Sequence, residues 1–113
     1  ERKNLRILTE AHVTRVILKQ DKGEKLTATG IEFQYKNKLR TVIARKEVIL
    51  SAGAINSPKI LMLSGIGPPK HLKKLNIEVK ESLPGVCILT LPIFRFRFSF
   101  NLTSSPLSFL IGR

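Results

Sequence analysis

Acidic residues are scarce in this 113-residue chain. Eight Asp and Glu face twenty Lys and Arg, so the formal net charge is +12. That surplus attracts phosphates, anionic lipid headgroups and acidic partners without selecting among them. A small basic module that binds nucleic acid or another polyanion is therefore a reading to be weighed. Against it, the basic residues are scattered over expected loops and polar strand faces. The densest short cluster, "HLKKL" (His71 to Leu75), has no aromatic platform beside it and fits no zinc-finger or helix-turn-helix spacing. A solvated basic surface is the plainer explanation.

Cysteine is almost absent as well. A lone Cys87 excludes an intrachain disulfide and any multi-cysteine metal site, and its apolar neighbours suggest an inert packed thiol. No apolar run reaches the length of a membrane span, and nothing near Glu1 resembles a secretory signal. The first residue is Glu1 and the only methionine is Met62, which suggests a piece of a longer polypeptide, whose leader, if it were secreted, would lie upstream. A chain this short makes one domain at most and buries only about two thirds of its unfolded surface.

What is present divides into three stretches. Residues 5–9 and 13–18 are short runs rich in Val, Ile, Leu and Thr, separated by the bend "EAH", and predict two strands. After a polar turn around Gly23, "TATGIEFQY" alternates Ile31, Phe33 and Tyr35 against Glu32 and Gln34, a half-buried strand. "KNK" is a tight-turn candidate and "LRTVIA" a returning strand, so residues 13–44 predict an antiparallel meander.

The second stretch is "VILSAGAINSPKILMLSGIG", Val48 to Gly67. Its apolar start shows no alternation, as expected of a strand covered on both faces in a parallel sheet. Ser57 can cap a helix with Pro58 at its first position, Ile60, Leu61 and Leu63 supply a buried face, and Gly65 stops it. A second short helix, "PKHLKKL", starts at Pro69 and has Asn76 as a left-handed stop. The small residues Ala52, Gly53 and Ala54 leave two explanations open. They can let backbone donors approach a phosphate or ribose, or merely allow a helix to pack closely on a strand.

From Val86 the third stretch is apolar and basic, with five of the six phenylalanines in residues 94–109 and no acidic residue after Glu81. "IFRFRFSFN" alternates with period two, which fits a strand or an aggregation-prone segment. "NLT" at Asn101 matches the glycosylation acceptor pattern.

"GAINSPKILMLSGIG" resembles the second signature of the glucose-methanol-choline oxidoreductases, the FAD-dependent alcohol and sugar oxidases and dehydrogenases. The constrained positions are met by Gly53, Ala54, Ser57, Pro58, Ile60, Leu61, Ser64, Gly65, Ile66 and Gly67. "NLRILTEAHVTRVIL", "TATGIEF", "KEVILSAG" and "GPPKHLKKLNIEVKESLPGV" are similar to the family's flanking wording, so the resemblance covers about residues 2–86. The wording is nearest to the insect-type glucose dehydrogenase branch.

The resemblance implies FAD as cofactor and an alcohol or sugar substrate in the longer parent, with no nucleic acid expected. It further implies that a backbone group of Val13 hydrogen-bonds the adenine, and that Ser51, Ala52 and Gly53 approach the adenosine side. Without the family, Val13 would be ordinary core. Ser64, Gly65 and Gly67 are expected to serve turn geometry and packing. His12 and His71 match no catalytic motif, and no residue is assigned to catalysis or to a metal.

The sequence also departs from the family. The Gly-x-Gly-x-x-Gly fingerprint and the C-terminal catalytic histidine pair are missing, and "CILTLPIFRFRF" replaces the usual continuation after "LPGV". The expectation is an α/β fragment (α+β in isolation) of a Rossmann-like FAD-binding domain over residues 1–85. It would hold a β-meander, one parallel-sheet strand and two short helices, followed by a divergent tail, 86–113. Alone, such a chain is expected to lack oxidoreductase activity and, without the pyrophosphate fingerprint, to bind FAD weakly or not at all. A non-functional product of a broken gene would look similar.

Overall fold

The computed structural model describes residues 4–20 and 25–86, and the backbone of 109–112. The Gly23 turn, Cys87, the "IFRFRFSFN" segment and Asn101 lie outside the described residues. Strand β1 (Leu5–Leu8) leads through Glu10, at φ 57°, into β2 (His12–Lys19). Strands β2, β3 (Thr27–Tyr35) and β4 (Lys38–Ile43) form the expected antiparallel meander in that order. Tyr35 pairs with Lys38, which leaves Lys36 and Asn37 as a two-residue loop with φ of 50° and 59°. Two consecutive positive φ values mark a type I′ turn, whose twist matches that of the strands it joins.

Two bulges set which side chains face inward. Thr14 is an extra residue on β2 between the pairs Val13–Phe33 and Arg15–Glu32, and Thr29 is an extra residue on β3 between Gly30 and Ala28. In a regular strand, Val13 and Val16 would point to opposite faces, because side chains alternate with period two. The bulge at Thr14 restores the phase, so both are buried, at 3% and 7% exposure. Each threonine hydroxyl ties its bulge back across the ladder. The Thr14 hydroxyl lies 3.0 Å from the Glu32 carbonyl oxygen, and that of Thr29 donates to the Ile17 carbonyl at 3.3 Å. Next to the second bulge, a Cβ on Gly30 would stand 2.3 Å from the Val42 carbonyl oxygen, so only glycine fits between β3 and β4 there.

Glu47 to Ser51 does not become the expected parallel-sheet strand. The segment forms no ladder, because no strand among the described residues runs beside it, and a strand exists only through its hydrogen-bonded neighbour. Its side chains nevertheless alternate. Val48, Leu50 and Ala52 pack against the core made by Ala11, Val13, Val16, Ile31, Phe33 and Ile60, while Ile49 stays 62% exposed. Parallel pairing among the described residues is confined to β5 (Ile66–Gly67) with β6 (Glu81–Ser82).

Helix α1 (Gly53–Leu63) starts one turn earlier than the Ser-Pro step suggested. Pro58 therefore lies inside it, and Ser57 is not its N-cap. The Ser57 hydroxyl instead accepts a hydrogen bond from the Ala52 N–H at 3.0 Å, so it still serves a backbone donor at the helix entrance. Of the expected buried face, Ile60 is buried but Leu63 is 43% exposed. Gly65, at φ 91°, ends the helix as expected.

Helix α2 (Pro69–Lys74) closes with Asn76 at φ 56°. The Ile77 N–H donates to the Leu72 carbonyl and the Asn76 N–H to that of Lys73, the paired bonds of a Schellman motif. The fully buried Leu72 anchors α2. Strand β7 (Phe109–Gly112) pairs antiparallel with β1. The whole is a mixed α/β arrangement of antiparallel sheet and short helices.

Candidate functional site

The small-residue corner that the sequence singled out sits at the entrance of α1. Gly53 is exposed and has φ 83°, a conformation that costs an L-residue with a side chain about 1–2 kcal/mol. A Cβ placed on it would meet nothing within 4 Å. Close packing of helix on strand, one of the two explanations for the small residues, is therefore not what position 53 serves within the described residues. The glycine meets a backbone requirement and leaves bare main chain facing open space. Among the described residues no side chain bonds the leading amides of the helix beyond the Ser57 contact to Ala52, and no acidic residue lies in its first turn. Its leading amides thus keep the partial positive charge that favours an anion.

The other three sequence-derived positions divide around this corner. Ser51 is exposed beside Gly53, and Ala52 is half-buried on the core cluster. Ala52 cannot offer its amide to a ligand while Ser57 accepts it. Val13 has its side chain in that same cluster, so only its main chain could meet a ligand. The structure thus joins Val13 and Ala52 through one core and leaves Ser51 and Gly53 at the surface. His12 and His71 are both exposed, on β2 and α2.

The second half of the motif is a clamp. Ser64 is the buried polar residue of the core, at 4% exposure. Its hydroxyl donates to the Ile60 carbonyl at 2.6 Å and accepts the Val16 N–H at 2.8 Å, which fastens the end of α1 to β2. A Cβ on Gly65 would stand 2.7 Å from the Glu78 carbonyl oxygen, and one on Gly67 would stand 3.1 Å from Met62 Cγ. These residues serve packing, as the sequence suggested for them. Sequence reasoning missed the β2 link. The signal was present as a serine directly after the last helical residue, where a hydroxyl can bond backward within its own helix and still accept from a neighbour.

A further group missed by sequence reasoning surrounds Glu32. Arg15 grips its carboxylate with two bonds, Nε to Oε1 at 3.1 Å and Nη2 to Oε2 at 3.0 Å, and the Thr14 hydroxyl lies 2.9 Å from Oε1. Hydrogen bonding from Arg15, then from Thr14, holds the Glu32 carboxyl below its ordinary value. This ion pair borders a half-open cleft of about 410 Å³ between β2, the end of α1 and residues 77–80. The cleft is lined by Leu63, Ser64 and Gly65, so it lies at the far end of α1 from Gly53, about 16 Å along an eleven-residue helix. The cleft and the glycine corner are separate features. Among the described residues no cluster of His, Cys, Asp and Glu could hold a metal ion, and no helix is long and apolar enough to cross a membrane.

A sequence model of the family described as GMC oxidoreductase matches residues 1–93. The chain belongs to the GMC oxidoreductase family. It is 48% identical over 85 residues to an uncharacterized GMC-type oxidoreductase of Mycobacterium bovis, covering 75% of this chain and 15% of that protein. It is 49% identical over 86 residues to an oxygen-dependent choline dehydrogenase of Staphylococcus saprophyticus, covering 76% of this chain and 14% of the relative. An oxygen-dependent choline dehydrogenase of Rhizobium etli matches at 58% over 59 residues, 52% of this chain and 11% of the relative. The chain thus spans about one seventh of the length of the first two relatives. Their names are those of choline dehydrogenases and a GMC-type oxidoreductase; the insect-type glucose dehydrogenase branch expected from the wording is not shown by them.

Proposed function

We propose that this GMC oxidoreductase chain forms the adenosine side of an FAD site in an enzyme that oxidises the CH–OH group of an alcohol. The observation that carries the reading is Gly53: positive φ, exposed, with open space where its Cβ would be and an uncapped helix entrance behind it. A pyrophosphate or ribose needs unobstructed main chain and unpaired amides, and this corner offers both. Ser51 and Gly53 would lie against the sugar and phosphates, Ala52 would fix the corner onto the core, and Val13 would offer its main chain to the adenine. When bound, FAD supplies the hydride acceptor. None of this chain's residues is assigned the substrate proton. The choline dehydrogenase names of two relatives favour an amino alcohol over glucose as the substrate class of such an enzyme.

The test replaces the matching segment of the Staphylococcus saprophyticus enzyme with residues 4–86 of this chain. The reading expects a folded chimera that purifies with bound FAD and oxidises choline. It further expects that Gly53→Leu in the chimera removes the flavin while circular dichroism stays native-like. A folded chimera that keeps its flavin with Leu at position 53 would overturn the reading.

A further inference from the structure

The β3–β4 hairpin places three cations within five residues, Lys36, Lys38 and Arg40, all exposed. Among the described residues no carboxylate forms an ion pair with any of them. Two are held in place. Lys36 Nζ lies 5.3 Å from the centroid of the Tyr35 ring and the Arg40 guanidinium carbon 5.8 Å from it, both within cation–π range. Tyr35 itself is half-buried against the core cluster, so this platform is fixed to the sheet.

The second observation is conformational. Lys36 occupies the first central position of the type I′ turn with φ 50°. Asn or Gly fills that position at less strain, because L-residues with long side chains enter the left-handed region only at a cost. The chain therefore carries a cation at the apex where the backbone favours a neutral turn residue. Strain of this kind, retained at an exposed position, points to a use other than folding.

We infer that the Tyr35–Arg40 hairpin is a docking surface for a carboxylate-rich segment of a partner protein. Three unpaired cations, two of them pre-ordered on a ring, lose little freedom when carboxylates arrive. Nucleic acid is disfavoured as the partner because the hairpin's own aromatic ring, Tyr35, is half-buried and already flanked by Lys36 and Arg40, which leaves no open face there to stack a base.

The experiment titrates the 113-residue chain with poly-L-glutamate at low and moderate salt. It compares the triple variant Lys36→Asn/Lys38→Gln/Arg40→Gln with a charge-matched control on α2, Lys70→Gln/Lys73→Gln/Lys74→Gln. The inference expects the hairpin triple to weaken binding at least roughly tenfold, about threefold per lost pair, and the α2 control to weaken it much less. It also expects Lys36→Asn alone to weaken binding while leaving the melting temperature equal or higher. Equal losses in both triple variants would assign binding to net charge and overturn the inference. So would a Lys36→Asn variant that melts lower, or a single-stranded oligonucleotide that binds through the hairpin more tightly than poly-L-glutamate.

Discussion

Replacing Ser64 by alanine leaves the Val16 N–H buried with no acceptor and frees the Ile60 carbonyl from its second bond. Stranding a buried donor costs about 1–3 kcal/mol. Urea unfolding of Ser64→Ala should show a loss in that range with an unchanged dependence on denaturant, since the surface exposed on unfolding is the same. A negligible loss would mean that Val16 finds another acceptor. At this scale the sequence was informative about backbone but not about partners. Gly65 and Asn76 were legible as left-handed stops because few other residues tolerate positive φ. The Ser64 link to β2 was not legible, because it joins residues 48 positions apart and depends on how the helix lies on the sheet.

Among the elements, the β2–β3 pair holds its charge on the face opposite the core, where Arg15 and Thr14 meet Glu32. Because the folded Glu32 titrates below its ordinary value of 4.5, the unfolded chain takes up the proton first as pH falls. The contribution is fully present above that ordinary value and is lost as pH drops through the lower, folded value. Thermal melts should therefore lose stability on the acid side of 4.5 in the wild type, and Glu32→Gln should flatten that part of the profile. An unchanged acid slope in the variant would assign the loss to other carboxylates.

The meander itself was legible from alternation, turn residues and β-branched content. The bulges were not, because Val13 and Val16, three apart, break the alternation and only the extra Thr14 makes both inward-facing. The misplaced start of α1 has a similar cause. Ser57 and Pro58 carry the local pattern of a helix beginning, but Gly53 at φ 83° already turns the chain into the helix, and Ser57 serves the entrance from within.

At the scale of the whole molecule, the apolar run at Val48–Leu50 was read as a strand covered on both faces, and the structure covers one. Val48 and Leu50 rest on the core while Ile49 and Ile55 remain 62% and 72% exposed, so the outer side of this segment has no cover among the described residues. Sheet neighbours are long-range partners that a local pattern implies but does not identify. The family was legible because its signature constrains backbone conformation and close approach at fixed spacings, which a single chain displays in full. The branch within the family was not, since substrate preference does not reside in the turn and packing residues that carry the match.

The account rests on bare main chain at Gly53 as the place where a nucleotide lies. Its most direct test is amide chemical-shift mapping of the 113-residue chain titrated with ADP, with riboflavin 5′-phosphate as the comparison. The account predicts ADP-dependent shifts at Val13 and at residues 51–55, far smaller ones with the flavin mononucleotide, and their loss in Gly53→Leu. Shifts confined to the cleft at Ser64 and Glu78, with residues 51–55 unmoved at saturating ADP, would contradict it.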